Sequence, residues 1–376
     1  MKYRKCGKTN EKLSILGFGC MRFPQLDGKI DVSEATKMVR YAIDNGVNYI
    51  DTAYPYHDGE SEIVVGQILK QGYRDKVKLA TKLPSWNINS REDMDKYLDE
   101  QLKKLQTEYI DFYLIHALDE KLWSNLVKNE VFNFLDDIKR SKKVKHVGFS
   151  FHDKYEIFEQ IVDSYDWDFT QIQYNYIDEE YQAGTRGLEY AHEKGLGIIV
   201  MEPLRGGKLV TNISKDSMSA IDNFKFKKTP AEWAFKFLYN KEEVGVVLSG
   251  MSSIEQVIEN IKTCDKEGTV NSMTEDESEV LKSLRDNFKS KIKVNCTSCK
   301  YCLPCPSGVD IPNCFEALNN ASMFDDIEYV KNNMYKYIIS KESDASRCIE
   351  CGKCEKVCPQ HISIIKQLKE TKEVFK

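Results

Sequence analysis

Eight short apolar runs recur through the first 290 residues: Ser14–Gly19, Val47–Asp51, Val77–Thr81, Phe112–His116, Val144–Ser150, Thr170–Tyr174, Gly197–Met201 and Gly245–Ser249. Longer amphipathic stretches separate them, among them Ser33–Asn45, Ser61–Gln71, Arg91–Leu105 and Ala231–Tyr239. Runs without polar alternation fit the strands of a parallel sheet, which helices cover on both faces. In the first helical stretch Met38, Val39, Ala42 and Ile43 keep the 3.6-residue spacing, with Ser33 at the expected cap. Eight strand–helix units can close on themselves, which predicts a (β/α)8 barrel over residues 1–290. A doubly wound open sheet is the competitor, and it normally carries a Gly-x-Gly-x-x-Gly turn after its first strand. Gly17-Phe18-Gly19-Cys20-Met21-Arg22 does not match that turn. Lys2–Cys6 and Lys12–Ile15 read as a small hairpin in front of the barrel.

Residues 291–376 are set apart by cysteine. Of 12 cysteines, nine lie between positions 296 and 358, leaving Cys6, Cys20 and Cys264 elsewhere. They form two blocks, Cys296-x2-Cys299-x2-Cys302-x2-Cys305-Pro306 and Cys348-x2-Cys351-x2-Cys354-x3-Cys358-Pro359, with Cys314 left over as a small buried hydrophobe. The second block fits the bacterial [4Fe–4S] run without alteration, and the first is one residue shorter before its last cysteine. In two-cluster proteins the cysteine before proline reaches the other cluster. By that rule Cys296, Cys299, Cys302 and Cys358 hold one cluster, and Cys348, Cys351, Cys354 and Cys305 the other. Zinc is the alternative, but it usually takes two CxxC pairs about 12–20 residues apart. Phe315–Asn319 and Asp326–Ile339 read as helical, so residues 291–376 are expected to form a small α-helical, ferredoxin-like domain.

The other bulk properties exclude more than they assign. At 376 residues the chain has room for one large domain and one small one. A net charge of −5 provides no broad positive field for nucleic acid. Residues 1–20 lack a signal-peptide core, and no stretch approaches the ~20 apolar residues of a membrane span. A cytoplasmic protein, with its thiols kept reduced, is the expectation.

In a (β/α)8 barrel, chemistry sits at the C-terminal ends of the strands. Three consecutive runs end in reactive groups: Asp51 followed by Thr52-Ala53-Tyr54-Pro55-Tyr56, Lys82 after Thr81, and His116 closing Asp111-Phe112-Tyr113-Leu114-Ile115-His116. Singly, each has an ordinary reading as a cap, a solvated cation or a packed ring. Together they place a carboxylate, a phenol, an ammonium and an imidazole at one mouth. These motifs resemble the aldo-keto reductases, from Arg4 through Asn260, and the Val309-Asp310-Ile311-Pro312 and Pro359-Gln360-His361-Ile362 tails resemble members with a ferredoxin extension.

The resemblance implies a catalytic tetrad of Asp51, Tyr56, Lys82 and His116. Tyr56 would give a proton to a carbonyl oxygen, with Lys82 lowering its pKa from about 10, Asp51 holding Lys82, and His116 orienting the substrate. His57 reads as a loop residue, while Trp86 and Trp123 are candidates to line the substrate pocket. The resemblance also implies a nicotinamide dinucleotide site: Ser150 and Gln171 at the carboxamide, Met201 under the ring, Pro203, Leu204 and Gly206 in the loop beyond, and Gly250, Ser252, Gln256, Glu259 and Asn260 toward the adenosine. Residues 250–260 contain no Lys or Arg to meet a 2′-phosphate, so NADPH and NADH both stay open.

Two functions follow. One is an oxidoreductase reducing a small carbonyl compound with NADPH or NADH, its two [4Fe–4S] clusters carrying electrons. The other is an electron-transfer or redox-regulatory protein that uses the barrel to bind a cofactor and meets a protein partner. Hydride transfer moves two electrons and a cluster moves one, so FMN enters as the device that could join them.

Overall fold

The computed structural model describes residues 1–376 apart from 212, 214–220, 222, 223, 226, 297 and 299. The chain folds into two compact units. One comprises Met1–Gly206 with Lys228–Glu275, and the other Gly207–Lys227 with Asp276–Lys376. This grouping differs from the expected 290/291 boundary: helix Glu275–Ser290 falls almost wholly in the second unit, together with residues 207–227. Among the described residues no helix is long and apolar enough to cross a membrane.

The first unit opens with an antiparallel hairpin, β1 (Tyr3–Lys5) and β2 (Lys12–Ser14). β3 (Leu16–Gly19) follows, then a two-stranded flap of β4 (Gln25–Leu26) and β5 (Lys29–Ile30). The remaining strands are β6 (Tyr49–Asp51), β7 (Lys78–Leu83), β8 (Ile110–Leu118), β9 (Val144–Phe151), β10 (Phe169–Gln173), β11 (Gly197–Met201) and β12 (Val246–Ser249). Every one of the eight apolar runs is a barrel strand. The parallel sheet closes in the order β3-β6-β7-β8-β9-β10-β11-β12, with β12 pairing back onto β3.

Helices pack outside by the periodicity read from sequence. Val32–Asp44 buries Ala35, Met38, Val39, Ala42 and Ile43. Its cap is Asp31, whose carboxylate accepts from the Glu34 amide at 3.0 Å, and not Ser33. A carboxylate at that position both accepts the bond and meets the positive end of the helix dipole. Arg91–Leu105 and Pro230–Tyr239 each start with a full capping box, from Ser90 with Asp93 and from Thr229 with Glu232.

Inside the barrel, Tyr49, Phe112, Phe169, Ile199 and Val246 form a packed layer with Cys6 and Leu13 of the hairpin. The hairpin therefore plugs the N-terminal end, which leaves the C-terminal mouth for chemistry. The plug fits by omission of side chains. A Cβ on Gly7, held at φ +47°, would lie 2.3 Å from the Gly197 amide nitrogen, and a Cβ on Gly197 would lie 2.2 Å from Cys6 Sγ.

In the second unit, helices Ile311–Phe324 and Ile364–Val374 share a core of Val309, Ile311, Cys314, Phe315, Leu318, Tyr335, Ile338, Leu368 and Phe375. Cys314 is fully buried there. Cys296, Cys302, Cys305, Cys348, Cys354 and Cys358 border this core and are partly buried.

Gly7→Ala is expected to destabilise the barrel by roughly 3 kcal/mol or more, because a strand backbone must move as well as a strained φ be held. Gly28→Ala, at φ +78° with open space around it, should cost only about 1–2 kcal/mol. Urea denaturation midpoints of the two variants measure the contrast.

Candidate functional site

The mouth is organised around one buried cation. Lys82 lies inside β7, and its side chain is 1% exposed. Its Nζ donates to Asp51 Oδ1 at 2.5 Å, to the Thr52 carbonyl at 2.8 Å and to Tyr56 Oη at 3.4 Å. Asp51 ends β6, one strand over, and Gln171 Nε2 of β10 donates to its other oxygen at 3.4 Å. Tyr56 follows in the β6 loop, its ring 6.2 Å from the His116 ring. The structure thus brings Asp51, Tyr56, Lys82 and His116 together.

Backbone geometry next to His116 is irregular. The β8–β9 register shifts between Ile115 and Leu118, and Ala117 sits at φ +55°. The freed Ala117 amide donates to Ser150 Oγ at 2.7 Å. A bulge of this kind re-aims a side chain at a barrel rim. Trp86 packs against the His116 ring at 5.2 Å and is 46% exposed, whereas Trp123 packs edge-on to Phe132 and tilted against Trp167.

Electrostatics follow from burial and that cation. Burial alone would lower the Lys82 pKa, but Asp51 and Tyr56 more than reverse it, so Lys82 stays an ammonium. Burial pushes the Asp51 carboxyl up against the opposing pull of Lys82. Tyr56 departs from expectation: burial raises the phenol above its ordinary value, and the downward pull of Lys82 does not overcome it. His116 is held well below the usual imidazole range by burial and by Lys82, so it is neutral at neutral pH. Its buried Nδ1 has no hydrogen-bond partner among the described residues.

A second layer supports Lys82 that sequence reasoning missed. Glu62, fully buried on helix Ser61–Ile68, accepts from Thr81 Oγ1 and Gln101 Nε2, both at 2.6 Å. Gln101 also donates to the Lys82 carbonyl at 3.0 Å and accepts from the Tyr113 hydroxyl at 2.8 Å. The available signal was a carboxylate within an otherwise largely apolar helical stretch, Ser61-Glu62-Ile63-Val64-Val65. His57, at φ +52°, accepts the Phe23 amide at 3.2 Å through Nε2 and stacks on the Phe23 ring.

The residues expected around a dinucleotide lie along the same rim. Ser150 and Gln171 are buried beside the tetrad, and Met201 ends β11, followed by buried Pro203, half-buried Leu204 and exposed Gly206. Gly250 follows β12, and Gln256 Oε1 accepts from the Ser252 amide at 2.8 Å. Glu259 Oε1 accepts from Thr229 at 3.2 Å. Asn260 turns inward, donating to Ser249 Oγ at 3.0 Å. Polar groups at the strand ends and glycines in the following loops fit a nicotinamide dinucleotide.

In the second unit the cysteines surround cavities. Cys302, Cys305, Cys348, Cys351 and Cys354 line one of about 190 Å³. Cys296, Cys302 and Cys358 line a smaller one of about 20 Å³. Cys299 lies outside the described residues. Among the described residues no three His, Cys, Asp or Glu side chains close on a single-ion site. Thiols spread around a cavity suit a four-iron cube, with irons at separate corners, better than one tetrahedral zinc.

Comparison with known proteins agrees with both halves. The profile of the Aldo/keto reductase family matches residues 15–277, and that of the 4Fe-4S dicluster domain matches residues 295–363. The chain is 28% identical over 281 residues to L-galactose dehydrogenase of Arabidopsis thaliana, covering 69% of this chain and 87% of that protein. It is 24% identical over 309 residues to L-glyceraldehyde 3-phosphate reductase of Escherichia coli O157:H7, covering 70% and 87%. Among solved structures, the holo form of aldo-keto reductase AKR11C1 from Bacillus halodurans superposes with a TM-score of 0.63 at 23% identity. It covers 76% of this chain and 96% of that one, a likeness of fold.

The Tyr56 phenol is expected to ionise at a higher pH than an ordinary tyrosine. The difference in alkaline ultraviolet absorbance between the native chain and Tyr56→Phe measures it, and an inflection below pH 9 would mean that Lys82 outweighs burial.

Proposed function

The chain belongs to the aldo/keto reductase family, and from that premise we propose that it reduces a small carbonyl compound with Tyr56 as the proton donor. It is an NAD(P)-dependent oxidoreductase with an iron–sulfur domain. The observation that carries the finer reading is the contact chain from Asp51 through Lys82 to Tyr56.

Nicotinamide, when bound, supplies the hydride. The protein's residues manage the oxygen end of the carbonyl. Tyr56 holds a proton at Oη through the neutral range, because burial keeps the phenol protonated. As the proton leaves, negative charge forms on Oη, 3.4 Å from a fixed ammonium, and this stabilisation is realised only as the reaction proceeds. Asp51 and the Thr52 carbonyl hold Lys82 in place, so no reorganisation is needed at that moment. Neutral His116 can donate a hydrogen bond to the same carbonyl oxygen without competing for the proton. The names of the two relatives support a hydroxylated aldehyde or its alcohol as substrate.

For the second domain we propose two [4Fe–4S] clusters. Cys296, Cys299, Cys302 and Cys358 would ligate one, and Cys305, Cys348, Cys351 and Cys354 the other. The clusters supply one-electron transfer when present. FMN at the barrel mouth is the candidate retained for joining that chemistry to a two-electron donor, and an electron-transfer protein is the proposed partner.

Tyr56→Phe should lower kcat for carbonyl reduction by about 10²- to 10⁴-fold while leaving nicotinamide binding intact. Steady-state kinetics beside a binding titration check this, and retained turnover would sink the proton-donor role. Protein purified without oxygen should carry about eight irons per chain. Iron and sulfide assay measures the clusters, and extraction of the same sample measures flavin; stoichiometric zinc without iron would overturn the assignment.

A further inference from the structure

We propose that Arg22 is the cation that binds the diphosphate bridge of the nicotinamide dinucleotide, an inference that rests on the dinucleotide reading above. The expected adenosine segment, residues 250–260, carries no basic side chain, so the charge must come from elsewhere in the fold. Arg22 closes the short turn Cys20–Arg22 after β3, and its side chain is exposed. It has no hydrogen bond or ion pair among the described residues.

Its position is defined by two glycines. A Cβ on Gly206, in the loop after β11, would lie 3.1 Å from Arg22 Nη2. A Cβ on Gly250, at the end of β12, would lie 3.1 Å from Cδ, 3.2 Å from Cγ and 3.3 Å from Cβ of the same side chain. Arg22 therefore lies across the gap between the two loops expected to face the dinucleotide. Glu202 Oε2, 3.9 Å from the Gly206 position, is the nearby acidic group. It forms no ion pair with Arg22, whose guanidinium stays available to an anion.

The turn is held in advance. Ser61 Oγ donates to the Cys20 carbonyl at 3.2 Å, and the next residue, Phe23, donates its amide to His57. Fixing the backbone lowers the entropy lost when a ligand is gripped. A guanidinium presents a planar fork matched to two phosphate oxygens, and two unsubstituted backbones beside it let a diphosphate come close. The diphosphate is common to NADH and NADPH, so Arg22 should strengthen both without choosing between them.

The test is binding of NADH and of NADPH to the full-length protein purified without oxygen, comparing native chain, Arg22→Gln and Arg22→Lys. Because Arg22 is exposed, the variants should melt with the native protein, and matched melting curves accompany each titration. Arg22→Gln should weaken both nucleotides equally, by on the order of 10- to 100-fold, with a shallower dependence of affinity on salt. Arg22→Lys should recover part of the loss. Unchanged affinity would overturn the proposal, as would a loss confined to NADPH, which would move Arg22 to the 2′-phosphate. A native chain that binds neither nucleotide would remove the dinucleotide reading itself, and Arg22 with it.

Discussion

An ammonium and a carboxylate, both removed from water, organise the barrel mouth. The Lys82–Asp51 pair is 1% and 4% exposed, and such a pair forfeits hydration that its mutual attraction barely restores. Apolar residues of equal size would stabilise a barrel core as well or better. What the pair supplies is a charge at a fixed point: Nζ is held from three sides by Asp51, the Thr52 carbonyl and the Tyr56 oxygen. Glu62 and Gln101 hold the strand behind it, so the cation has little freedom to retreat.

That arrangement changes how the phenol should be understood. A lysine beside a tyrosine suggests, from residue types alone, an acid made stronger at rest. Here burial dominates the resting state, and the phenol is a weaker acid than usual. The two facts are compatible. On the proposed role of Tyr56 as proton donor, burial keeps the proton in place until a substrate oxygen arrives, and the same low-dielectric surroundings make the neighbouring cation more effective once charge begins to move. His116 follows the same logic, since burial and Lys82 keep it neutral, with one ring nitrogen left as a hydrogen-bond donor and the other as an acceptor.

The barrel was legible because its strands are buried on both faces, which leaves long apolar runs and erases other interpretations of Val47–Asp51 or Phe112–His116. The grouping of Asp51, Tyr56, Lys82 and His116 was legible because three of them sit at equivalent points of consecutive strands. Less local properties were not. Asp31 caps the first helix although Ser33 fits the pattern, since one or two residues of shift leave the periodicity almost unchanged. The inward turn of Asn260 toward Ser249 depends on how helix Ile254–Glu267 meets β12. Arg22 and Gly250 are far apart in the chain, and only closure of β12 onto β3 makes them neighbours. The sign of the Tyr56 shift is set by packing density, which no spacing rule encodes.

The larger cysteine cavity takes Cys302 and Cys305 from the first block and Cys348, Cys351 and Cys354 from the second; the smaller takes Cys296 and again Cys302 from the first and Cys358 from the second. The two blocks are therefore interlocked, like clasped hands, and neither stretch of chain can complete a wall by itself. During synthesis, a chain that has emerged only as far as Pro306 has most of its first set of thiols and no enclosure for them. Closure of the smaller cavity must wait for Cys358, so a later-made segment decides whether the earlier-made cysteines are ever sheltered.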